Sequence, residues 1–178
     1  GQSERRRDRS PMADGSIMDM IRHGNDNCKL SDKRLRWARD LFLVQEQMSL
    51  PDFIAETIQA RFSVPQVAIR VWGVAPEFSA ATFTQGVGED ARLFASSLRE
   101  PFCGVNSGFE ATNWLAQPVQ ATSLALLPLR AVDAASTAPA FGMLVLASPD
   151  AQRFTSTMGT DFLARIAELA SAALTSLR

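Results

Sequence analysis

The sequence predicts an α+β domain: an antiparallel sheet with helices on its faces, entered through an N-terminal helical extension. Three observations carry this. Ser31 to Met48 and Pro51 to Phe62 repeat apolar residues at helical spacing. Ser123 to Arg130 and Ala140 to Ser148 are short apolar runs joined by a small, polar linker. Thr160 to Leu177 ends the chain as an amphipathic helix. With 178 residues, 46% of them hydrophobic, the chain can bury one sizeable core. The expected division is a leader over 1–30, N-terminal helices over 31–62 and the sheet domain over 63–178.

Gly1 to Gly15 holds Arg5-Arg6-Arg7 and almost nothing apolar, so it is expected to stay disordered. A short apolar cluster follows, formed by Ile17, Met18, Met20 and Ile21. Ser31 and Asp32 are capping residues before a helix with Leu35, Ala38, Leu41, Phe42 and Met48 on one face. Pro51 and Asp52 open a second helix, because Pro is tolerated in the first turn and a carboxylate there suits the helix dipole. Phe53, Ile54, Thr57, Ile58 and Phe62 form its buried face, and it ends near Arg61.

Val67 to Trp72 is β-branched and aromatic, bounded by Pro65 and Gly73, and reads as a strand. Ala81 to Thr84 is a weaker strand, followed by turn residues Gly86 and Gly88. Glu89 to Leu98 is predicted helical, and Ser107 to Leu115 holds a further short helix. The runs at 123–130 and 140–148 pair antiparallel across a surface loop over Ala131 to Pro139. Gly159 and the oxygens of Thr160 and Asp161 open the last helix, whose apolar side holds Phe162, Leu163, Ile166, Leu169, Ala170, Ala173, Leu174 and Leu177.

The net charge of −1 gives no reason to expect nucleic acid or an anionic membrane as partner. Charge is uneven, at +3 over residues 1–40 and −4 over the rest, but salt screens so small an asymmetry. Cys28 and Cys103 lie far apart in a chain without an apolar export signal, which predicts reduced thiols and a cytoplasmic location. No apolar run approaches the roughly 20 residues that cross a bilayer. One His and no Tyr remove most general acid–base and metal donors. His23 has no acidic or Cys partner at metal spacing, so neither a metal nor a cofactor is predicted.

Three segments are more specific than element order: Val67-Ala68-Ile69-Arg70-Val71-Trp72, Pro101-Phe102-Cys103-Gly104, and Arg153-Phe154 with Met158 to Leu163. On these, residues 25–178 resemble the bacterial domain-of-unknown-function family 484. That is a GAF-like family, related to PAS-type sensors, with no settled biochemical activity. The helical segment that the family carries before its first long helix is not visible in Gly1 to Gly24. The Asn-Lys-Phe-Asp motif of GAF domains that bind cyclic nucleotides is absent. The resemblance implies a non-enzymatic sensor or interaction module that binds a small molecule or a protein partner, and the pair of terminal helices adds the expectation of a homodimer.

Trp72, Phe83, Phe102, Cys103, Trp114 and Met143 are the candidates for a pocket between sheet and helices, with plain core packing as the competing role. Leu35, Leu41 and Phe42 on the first helix, with Leu169, Ala170, Ala173, Leu174 and Leu177 on the last, are the candidate dimer seam, because small residues let helices approach closely. No catalytic residue is assigned. The alternatives are a redox enzyme using Cys103, which would need a base or cation near the thiol, and a structural adaptor with no ligand.

Overall fold

A computed structural model describes residues 28–178, which fall into two compact units: 28–37 belong to the first and 38–178 to the second. The expected disorder of Gly1 to Gly15, the apolar cluster at 17–21 and His23 lie outside the described residues. Helix α1 covers 28–43. Ser31 and Asp32 therefore lie within it rather than capping it, because Cys28-Lys29-Leu30 contains no helix breaker. Met48 falls in a separate 3-10 turn, Gln47–Ser49. Pro51 explains the break: in a continuous helix its ring would clash with the carbonyl of Gln47.

Within the second unit the elements are α2 (Leu50–Arg61), β1 (Gln66–Val71), α3 (Glu89–Ser97), β2 (Phe102–Val105), β3 (Ser123–Leu129), β4 (Gly142–Ser148) and α4 (Asp161–Leu174). The four strands form one antiparallel sheet in the order β1-β4-β3-β2, with β3 and β4 at its centre. All residues of β3 and β4 are buried, which is why both read as continuous apolar runs. Gly142 sits where β4 meets both neighbours; a Cβ there would lie 2.8 Å from the Arg70 carbonyl oxygen and 3.0 Å from Leu129 Cδ1.

Side chains alternate across the sheet. Ala68, Leu124, Leu126, Met143, Val145 and Ala147 share one face and pack with Ala91 and Ala95 of α3. The opposite face is covered by α2 against β1 and α4 against β3. Their junction is held by Phe62 and Phe162, edge to face at 5.4 Å. Arg153 closes the same corner, since its Nη1 and Nη2 donate to the carbonyls of Ser63 and Phe62, each at 3.0 Å, just beyond the end of α2. Arg153→Ala removes a charged donor from two carbonyls, and a loss of about 1–3 kcal/mol is expected in urea unfolding. A loss under about 0.5 kcal/mol would show that water replaces the clamp.

Two elements differ from the sequence expectation. Thr82–Thr84 is a 3-10 turn, not a strand. Its polar groups are used locally: Thr84 Oγ1 donates to the Ala81 carbonyl at 2.7 Å, and Gln85 Nε2 donates to the Ser79 carbonyl at 3.3 Å. The missing strand is β2, which comes after α3 in a segment that reads as a loop because Pro101 and Gly104 weaken its β signal. The short helix expected within Ser107 to Leu115 is the 3-10 turn Glu110–Trp114.

Candidate functional site

The residues expected to line a pocket divide between the two sheet faces. Trp114 and Met143 belong to the cluster under α3, and Trp72 and Phe102 pack against it. Phe83 is buried in the turn Thr82–Thr84 against β1, outside that cluster. Cys103 is also apart. It follows Phe102 on β2, so the period of two sends its side chain to the face covered by α2 and α4. The expectation that Cys103 shares a pocket with the aromatics is thus corrected.

On the α3 face the aromatics are tightly engaged. Phe109 contacts Phe94 with ring centroids at 5.3 Å and Phe102 at 5.2 Å. Trp72 Nε1 donates to the Ala140 carbonyl at 2.8 Å, and Trp114 Nε1 to the Gly86 carbonyl at 2.9 Å. Gly86 has φ of +70°, a left-handed conformation that turns the loop back toward β1. Glu110 accepts the Gly88 amide N–H at 2.8 Å, placing a carboxylate at the start of α3 where the helix dipole favours it.

Arg70 is a charge inside an otherwise apolar strand, a signal legible in the sequence that carries no expected role there. Its Nε donates to the Gln85 carbonyl at 2.9 Å and its Nη1 to the Ile69 carbonyl at 2.8 Å. The guanidinium carbon stands 5.8 Å from the Trp114 ring centroid. Burial lowers its pKa, offset by the field of Asp52. Arg70 and Trp114 together grip two successive carbonyls, Gln85 and Gly86, and so fasten the loop between β1 and α3 onto the sheet.

The Cys103 thiol is buried and desolvation pushes its pKa up to about 11. Among the described residues, no three His, Cys, Asp or Glu side chains are grouped so as to hold a metal ion. Among the same residues, no helix is long and apolar enough to cross a membrane.

The expected dimer seam also divides. Leu41, Ala170, Leu174 and Leu177 are buried within the chain itself, the last three at 0% exposure. The stripe predicted to face a partner instead closes the core, because α4 lies against β3. Leu169 and Ala173 are half-buried, while Phe42 is 90% exposed. Leu35, in the first unit, is 67% exposed.

A family model described as "Protein of unknown function, DUF484" matches residues 2–176. The chain belongs to the DUF484 family. The match begins inside the leader, at residue 2, well before the stretch in which the sequence itself carries the resemblance. Solved structures similar to this DUF484 chain are GAF domains. One, from a chain described as a putative sensor histidine kinase of Pseudomonas syringae pv. tomato, is 19% identical with a TM-score of 0.55, covering 88% of this chain and 92% of that one. Another, from an Acinetobacter phosphoenolpyruvate-protein phosphotransferase, is 13% identical with a TM-score of 0.55, covering 82% and 92%. At these identities the likeness establishes the GAF fold of the DUF484 chain. No curated protein matches it.

Proposed function

We propose that this DUF484 chain is a non-enzymatic, cytoplasmic sensor or interaction module that works as a homodimer and binds a small molecule or a protein partner. The observation that carries the proposal is the GAF fold with large apolar side chains left on its surface at the end of α1. There Phe42 is 90% and Leu43 68% exposed. A second copy would remove this surface from water at roughly 25 cal/mol per Å² of apolar area. The non-enzymatic part is supported by the Cys103 thiol, which burial holds protonated and which β2 turns away from the aromatic cluster.

Light scattering on the full chain tests the self-association. A dimer is expected at micromolar concentration. Phe42→Glu should give a monomer with an unchanged melting temperature, because the side chain contributes little to its own core. Ala173→Arg on the half-buried side of α4 should weaken association in the same direction. A wild-type chain that is monomeric at tens of micromolar would overturn the homodimer.

A further inference from the structure

An open groove of about 600 Å³ lies between α4, the start of the loop after β3 and the segment leading into β2. It falls within the range of small-molecule sites, roughly 300–1,000 Å³. It is separate from the aromatic cluster under α3, none of whose side chains line it. Its wall is mixed: Pro101, Pro128, Ala164, Ala167 and Ala172 give it an apolar side, and polar and charged residues line the rest.

Arg130 is the distinctive polar group in this groove. It is half-buried, and its pKa is lowered by desolvation alone. Its Nε donates to the Ala138 carbonyl at 2.8 Å and its Nη2 to the Ser96 carbonyl at 2.8 Å, while its backbone N–H donates to Ser171 Oγ at 3.3 Å. The guanidinium plane is therefore held from the loop and from α3, with Nη1 unspent among the described residues. No carboxylate of a described residue forms an ion pair with it, so a partly desolvated cation stands without a counter-ion.

From this we infer that the groove takes a small organic carboxylate with an apolar body, its head on Arg130 Nη1 and its body against the alanines of α4. Arg99 on the same rim adds a second cation. The rim also carries Glu100, Asp133 and Glu168, but all three are exposed, and Glu168 is paired with Arg165. Solvent screens exposed charges far more than a half-buried one, so Arg130 sets the preference. The pre-fixed guanidinium lowers the ordering cost of forming the pair. The assignment rests on the reading of the chain as a binding module and specifies the ligand class for it.

The test is amide-resolved NMR titration of the full chain with 4-methylpentanoate, its neutral amide 4-methylpentanamide, and inorganic phosphate. The expected result is saturable shifts at Ala164, Ala167, Ser171 and Ala172 with the carboxylate, at least tenfold weaker binding of the amide, and weaker binding of phosphate. Arg130→Gln should lose about tenfold in affinity. Arg130→Lys, which keeps the charge, should retain part of it. Equal binding of acid and amide, phosphate binding as tightly as the acid, or no shift up to 10 mM would each overturn the assignment. Because binding is read independently of association, a monomer that binds here would sink the homodimer and leave this site standing.

Discussion

Cys103 is expected to alkylate about 100-fold more slowly in the folded chain at pH 8 than an ordinary free thiol. Burial moves its pKa from 9.0 to about 11, and that displacement alone reduces the thiolate fraction roughly 100-fold, before any steric protection. Cys28 is exposed and would mask the slow reaction, so the measurement belongs in a Cys28→Ser background, with the same protein in urea as reference. The raised pKa also has a stability consequence. A thiol that holds its proton more tightly when folded contributes stability that is fully present below about pH 9 and is lost as pH rises through about 11. Cys103→Ala should therefore flatten the alkaline limb of the stability profile in that window. Alkylation within threefold of the free-thiol rate would restore the redox alternative by supplying the thiolate it needs.

Trp114→Ala is expected to cost about 3–5 kcal/mol in urea unfolding. The side chain is 8% exposed and belongs to the cluster under α3. Its removal leaves a cavity in the cluster that also holds Ala111 and Leu115, and takes the aromatic face away from Arg70. The lost hydrogen bond to Gly86 is the smaller part, since Gly86 is exposed and water can reach its carbonyl. Trp114→Phe separates the two effects: it keeps most of the volume, loses the N–H donor, and should cost about 1–2 kcal/mol. A loss below about 1 kcal/mol for the alanine variant would mean that the loop between β1 and α3 collapses into the space freely.

The contrast between Trp114 and Cys103 shows where sequence reading stops. Elements with strong periodicity were legible: α2, β1, α3, β3, β4 and α4 lie within about three residues of their expected bounds. Segment 102–105 was not, because a four-residue strand after a proline has no period to detect. Without that strand, nothing in the sequence separates Phe102 from Cys103 by parity, and both read as lining one pocket. The four aromatic and sulfur side chains that do meet, at Trp72, Phe102, Trp114 and Met143, were found because large apolar residues beside a sheet converge on its core. On α4, Ala170 and Leu174 form an apolar stripe that a helical pattern locates, but the pattern does not say whether a partner or the chain's own sheet covers it. Arg130 closes the run at 123–130 in the sequence, and only the placement of Ser96 and Ala138 makes it a fixed cation.

The bond from Arg70 to its neighbour's carbonyl has a meaning beyond loop fastening. Just past β1 the amide of Trp72 bonds inward to Phe141 at 2.7 Å, so the backbone groups of even-numbered residues face β4 and the Ile69 carbonyl points to the side of β1 that pairs with no strand among the described residues. Arg70 Nη1 occupies that acceptor and sets a cation beside it. An incoming strand from another molecule would have to displace the guanidinium before it could pair, so β1 is guarded against edge-to-edge aggregation by a side chain of its own.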